Sequence, residues 1–266
     1  MTHPVHALFD AIATVAPYPK TVELVPELMS GTAFFPGGGG LWTASSTGKL
    51  PDLPNAGVMV VGQDFHSKAG YLDSHRRGGE VRHFADGATE SHVPTWRSLI
   101  ELLGNFGIPP ERCFFTNAYM GLRRSGKTGP FPGIRDKAFV ARCGAFFRMQ
   151  IEALNPRLIL GLGRSIPNFL GAVTKDLAAW RSVSSLSQLD CDNAVISGVR
   201  FVGGRDPCTV VCITHPSLYA SNVSRRKFHA FAGRAAEREM VAQAIRDSGV
   251  DLRVRKQIAP TPLTLA

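Results

Sequence analysis

Val58-Met59-Val60-Val61-Gly62-Gln63-Asp64 is the stretch that decides the fold class. An apolar, mostly β-branched run breaks off into a glycine, an amide and a carboxylate. Such a run is expected of a strand in a sheet covered on both faces, where polar and apolar residues need not alternate. Val210-Val211-Cys212-Ile213 is built in the same way and breaks off into His215-Pro216-Ser217. Two further strands are predicted over residues 112–118 and 158–162, and the fourth of the set over 209–214.

Helical spacing separates these runs. Val5, Leu8, Ile12 and Val15 predict a first amphipathic helix that ends before Pro17, and Trp96, Leu99, Ile100, Leu103 and Phe106 predict another that ends near Gly107. A third stripe runs through Phe139, Cys143, Phe146, Phe147, Gln150, Ile151 and Leu154; large aromatics at that spacing are core. A closing helix is predicted over 224–245, and Ser197-Gly198 predicts a hairpin before the last strand. Residues 21–55 are rich in Gly, Pro and Ser and are read as a long loop region, with Gly37 to Gly40 as a flexible turn. Strands alternating with helices make one α/β domain with a mainly parallel sheet. Residues 1–56 form an N-terminal extension to it, and residues 251–266 a loosely held tail.

The chain has 266 residues and a formal net charge of +9, which favours a polyanionic partner, although a solvated basic surface is the plainer reading. No stretch approaches the ~20 apolar residues of a membrane span. The apolar segment at 7–15 has no basic residue before it and carries Asp10, so it is not a signal peptide. Five scattered cysteines suit reduced thiols, and a cytoplasmic location is expected.

Gly121-Leu122-Arg123-Arg124-Ser125-Gly126-Lys127-Thr128 fits the phosphate-loop pattern letter for letter. That pattern needs a helix starting at its lysine. The following Gly129-Pro130-Phe131-Pro132-Gly133 forbids one, so no nucleotide cofactor is expected. What remains is a basic loop carrying Arg123, Arg124 and Lys127. Cys208 and Cys212 share one face of a strand with no second pair at metal-ligand spacing, and the histidines between 75 and 92 lack the spacing of a site on one helix face. No metal is expected.

Three strand ends offer a carboxylate (Asp64), a side-chain amide (Asn117) and an imidazole (His215). Open α/β sheets place their sites at that edge. Cleavage of an N-glycosidic bond to a pyrimidine calls for this mixture. A carboxylate stabilises a cation-like sugar and orients water, an imidazole stabilises a departing anionic base, and an amide reads the edge of a flipped base. Each side chain also has a plainer reading: Asp64 as a cap at a strand-to-helix turn, His215 as a structural histidine.

Gly62-Gln63-Asp64-Phe65-His66, Asn117-Ala118 with Arg123 nearby, and His215-Pro216-Ser217-Leu218 resemble, in order, motifs of the uracil-DNA glycosylase superfamily. Leu154-Asn155-Pro156-Arg157-Leu158 through Arg164 is like the third core strand of related families, and the resemblance spans residues 57–245. It implies a three-layer α/β/α domain with a central four-stranded parallel sheet. It also implies a monomeric hydrolase without cofactor that flips a base from DNA, in repair or in defence against modified DNA. By resemblance Asp64 handles the water, His215 the leaving base, and Asn117 and Gln63 contact the base. Phe65 or Phe84 stacks on the base, Ser217 meets a phosphate, and Leu218 or Tyr219 is the wedge. Phe65-His66 replaces the family's Pro-Tyr, whose tyrosine crowds the pyrimidine 5-position, so a 5-modified base becomes a candidate beside uracil. Arg225, Arg226 and Lys227, placed in the first turn of the closing helix, complete the expected DNA contacts. There cations cost a few tenths of a kcal/mol, which an external phosphate would offset. The alternative is a DNA-binding or sensing protein of the same fold without catalysis.

Overall fold

The buried strands send successive side chains to opposite faces, and each face has its own cover. The computed structural model describes residues 2–26, 28, 34–37, 50–76, 94–127, 129–191 and 193–254. Its main sheet runs β2 (Phe35–Pro36), β4 (Cys113–Asn117), β3 (Val58–Gly62), β6 (Leu158–Leu162), β8 (Cys208–Ile213), β7 (Val195–Val199) across its width. The four central strands are parallel, as expected. The sheet has six strands rather than four, because β2 and β7 add antiparallel edges.

Met59, Val61, Phe114, Ile159, Val210 and Cys212 face one apolar cluster. There they meet helices α4 (Lys137–Leu154) and α5 (Ile166–Val173), together with Leu8 of α1 (Pro4–Asp10). Val58, Val60, Phe115, Leu158, Leu160, Val211 and Ile213 face the other. Their cover is α3 (Pro94–Asn105) and α8 (Gly233–Ser248). Two covered faces make three layers, and they explain why the central strands show no polar alternation.

The aromatic stripe of α4 behaves as its spacing predicts: Phe139, Phe146 and Phe147 are fully buried. Each contributes about 1.5–3 kcal/mol through burial. Asp136 caps the helix by accepting from the Phe139 N–H at 2.9 Å, and Asn155 ends it in the left-handed region at φ 43°.

Three local expectations are corrected. The closing helix begins at Gly233, nine residues after its predicted start at Ser224, because the chain first forms a 3-10 turn (Val223–Arg225) and a hairpin of β9 (Lys227–Phe228) with β10 (Phe231–Ala232). Ser197-Gly198 lies inside β7, at a register irregularity between Ile196 and Val199, and the hairpin turn falls instead at 200–207. The predicted loop region contributes two short strands, since β1 (Val22–Glu23) pairs antiparallel with β5 (Leu122–Arg123) and β2 joins the main sheet. Gly37 serves packing there: a Cβ would stand 2.0 Å from the Pro110 carbonyl oxygen. Gly38 to Gly40, Phe84, His83, His92 and the tail beyond 254 lie outside the described residues. Among those described, no helix is long and apolar enough to cross a membrane.

Candidate active site

Parallel neighbours bring the ends of β4, β3, β6 and β8 to one edge, so Asn117, Asp64, Gly163 and His215 follow one another along it. Two strand spacings, about 10 Å, separate the backbones bearing Asp64 and His215. The two groups are close enough to feel each other: burial lowers the His215 pKa, and the Asp64 carboxylate opposes this more weakly by raising it.

The carboxylate of Asp64 is almost completely enclosed. Its Oδ1 accepts from the His66 N–H at 2.8 Å and from Arg123 Nε at 3.0 Å. Its Oδ2 accepts from Arg123 Nη2 at 2.7 Å and from Gln63 Nε2 at 2.9 Å. Four donors match the roughly four acceptor sites of a carboxylate. Arg123, expected as a DNA contact, turns its guanidinium onto this carboxylate. It is only 6% exposed, and its remaining donors reach the carbonyl oxygens of Lys127, Gly129 and Pro130 at 3.1, 2.7 and 3.3 Å. The loop that mimics a phosphate loop turns carbonyls inward toward a cation, which is the opposite polarity to phosphate binding.

Gln63, expected to contact the base, has its amide nitrogen held by Asp64 and by the Gly129 carbonyl at 3.1 Å. Phe65 is 6% exposed and part of the core, so it offers almost no face on which a base could stack.

Asn117 is 1% exposed, and its Nδ2 has no hydrogen-bond partner. Leaving such a group unpaired costs about 1–3 kcal/mol. Gly62 makes room for the amide, because a Cβ there would stand 2.5 Å from Asn117 Oδ1.

His215 sits at the N-cap of the 3-10 turn Pro216–Leu218, where its Nδ1 accepts from the Ser217 N–H at 3.3 Å and lies 2.8 Å from Ser217 Oγ. A backbone N–H can only donate, so Nδ1 is the acceptor and the ring proton belongs on Nε2. Burial holds the His215 pKa below its ordinary value of 6.5, which keeps the ring neutral at pH 7. Gly163, at φ +86°, allows the imidazole its place, with a Cβ there falling 3.0 Å from His215 Cβ.

Behind the imidazole lies a second arginine. Arg226 was expected to meet DNA, but it is 1% exposed and in the interior. It pairs with Asp190 at 2.8 Å and with Glu237 at 2.7 Å, and donates to the Cys212 carbonyl at 2.9 Å. Glu237 Oε2 also accepts from the Thr214 N–H at 2.7 Å, which ties the residue before His215 to α8. Burial raises the Glu237 pKa and Arg226 opposes it. The sequence did carry a signal for Glu237: it stands in the apolar stripe Ala236, Met240, Val241, Ala244. Gly163 and Asp190 had none beyond position.

The other expected contacts lie at the surface. Leu218 is 54% exposed and Tyr219 half-buried beneath Arg234, whose guanidinium carbon is 5.8 Å from the ring centroid. Ser217, Lys127, Arg225 and Lys227 are exposed, and Arg124 is exposed with Glu23 3.5 Å away. Cys208 and Cys212 are buried, and burial pushes both thiols up to about 12.

The family model for the uracil DNA glycosylase superfamily matches residues 50–239, from before β3 into α8. The chain belongs to that superfamily. The match spans every strand end described above. No curated protein matches the chain. Members of that superfamily are generally N-glycosylases that act on DNA.

Proposed function

We propose that the protein is a DNA glycosylase that turns a pyrimidine, uracil or a 5-modified one, out of DNA and hydrolyses its bond to deoxyribose. What carries this reading is the buried, unpartnered amide of Asn117 beside a fixed carboxylate and a neutral imidazole. The amide pairs with the edge of the flipped base. As the bond between C1′ and the ring nitrogen breaks, its electron pair passes to the base, where it spreads onto a carbonyl oxygen. The Nε2–H of His215 donates to that oxygen without prior reorganisation, the condition under which such donors contribute most. Positive charge grows on the sugar and faces Asp64. Water takes the place of the Gln63 amide on Oδ2, adds to C1′ and gives up its proton through that oxygen. Leu218 enters the space left by the base, and Ser217, Arg124, Lys127, Arg225 and Lys227 meet phosphates.

Incubation with DNAs carrying uracil, thymine mismatches and 5-substituted cytosines, followed by mass detection of free bases, tests the proposal. Release of a pyrimidine and an abasic site is expected. Asp64→Asn and His215→Ala each lose on the order of 100-fold or more in rate while still binding DNA. Release at the parent rate by both variants would refute the assigned roles.

One observation favours a second reading, a DNA-binding protein without catalysis: the Asp64 carboxylate already has four partners. Salt-sensitive DNA binding with no base released from any substrate decides for it.

A further inference from the structure

The segment between Leu122 and Phe131 is explained neither as a nucleotide phosphate loop nor by a DNA contact at Arg123, whatever its exposed Arg124 and Lys127 meet. Its composition acquires a meaning from what surrounds the guanidinium. All five N–H donors of Arg123 are placed: two on Asp64 and three on the carbonyls of Lys127, Gly129 and Pro130. Phe131, itself buried, lies under the same group, 5.7 Å from ring centroid to guanidinium carbon, and stacks on Tyr119 at 5.3 Å. The backbone is pinned too, because the Arg123 N–H donates to the His66 carbonyl at 2.8 Å and Val22 of β1 pairs with Arg123. Gly129, at φ +102°, supplies the turn that aims its carbonyl inward. A side chain fixed at both ends and along one face has a single geometry, and its planar fork fits a carboxylate at two points.

We propose that Arg123 is a positioning residue for Asp64: the carbonyls of Lys127, Gly129 and Pro130 and the ring of Phe131 clamp the guanidinium, and the guanidinium sets the plane and place of the carboxylate against the scissile bond. The proposal rests on the glycosylase reading for its catalytic consequence and on geometry alone for its structural one. Lysine cannot replace the arginine, since one ammonium makes a single point of contact and leaves the carboxylate free to turn.

The full-length protein and two variants, Arg123→Ala and Arg123→Lys, serve for the test, with kcat and KM measured on whichever DNA the parent cleaves. Arg123→Ala is expected to lose about 100-fold in kcat, the scale of a 1 Å misplacement, with KM changed about twofold or less. Guanidinium ion at millimolar concentration restores about tenfold of that loss by filling the vacated clamp, and leaves the parent unaffected. Arg123→Lys falls between, at about 10-fold below the parent, and serves as the decisive variant if the alanine form does not fold. Parent-level kcat in either variant, or a change confined to KM, overturns the proposal. So does a kcat loss in Arg123→Ala that guanidinium does not relieve. A crystal structure of Arg123→Lys gives a readout that needs no activity: the Asp64 carboxylate is expected to have turned from its parent position, and an unmoved carboxylate overturns the proposal. A parent that releases no base refutes the glycosylase reading instead, and the crystallographic outcome still decides the role of Arg123.

Discussion

Two arginines flank the edge of the sheet, and they do different work. Arg123 touches the carboxylate to which the water is assigned above, joining Asp64 at two points from a loop near the surface. Arg226 touches no such side chain. It sits in the interior between Asp190 and Glu237, and its influence reaches His215 only through Glu237 and the Thr214 N–H. One arginine orients a group, and the other holds up the ground beneath a group. Substitutions at the two positions are therefore expected to separate chemistry from stability.

The largest effect is expected from Arg226→Met. It leaves the carboxylates of Asp190 and Glu237, 2% and 0% exposed, without their cation. The loss is about 3–5 kcal/mol of folding stability, on the order of 10 °C in Tm. Calorimetry measures it, and a normal Tm with weakened DNA binding would erase the distinction between the arginines.

Gly163→Ala sharpens the imidazole side. It adds a Cβ 3.0 Å from His215 Cβ at a backbone of φ +86°. A fall in kcat on the order of 10-fold is expected from the displaced ring. An unchanged kcat would show that His215 need not be held so closely.

The smallest effect is a matter of protons. Burial holds the His215 pKa below 6.5, and Asp64 partly opposes this, so Asp64→Asn should lower its NMR midpoint further. The sign for stability follows. The unfolded chain takes up this proton near pH 6.5, before the folded chain does. The folded state therefore loses stability as pH falls below that value toward the folded midpoint, and not above it. A midpoint that rises in Asp64→Asn would separate the two flanks electrically.

The sequence disclosed the central strands because runs such as Val58 to Val61 and Val210 to Ile213 can hardly be anything else. It disclosed Asp64, Asn117 and His215 because each ends such a run. It misplaced Arg123 and Arg226 because a cation in sequence looks the same whether solvent or a buried carboxylate awaits it. The partners lie 59 and 36 residues away for the Asp64 and Asp190 pairs, so only tertiary contact identifies them. The closing helix was begun too early for the same reason. A charged run reads as a first helical turn that meets DNA, whereas Arg226 is drawn inward and the chain reverses around it. The loop after Arg123 was excluded as a helix by its prolines and glycines, yet nothing in composition says which way a carbonyl points.

The short pairing of Val22 with Arg123 ties the amino end of the chain to events 101 residues downstream. The amino-terminal segment, which already fills the interior with Leu8, Ile12, Val15 and Val22, thereby also braces the acid, and cutting it away would loosen the core together with the oxygen pair of Asp64.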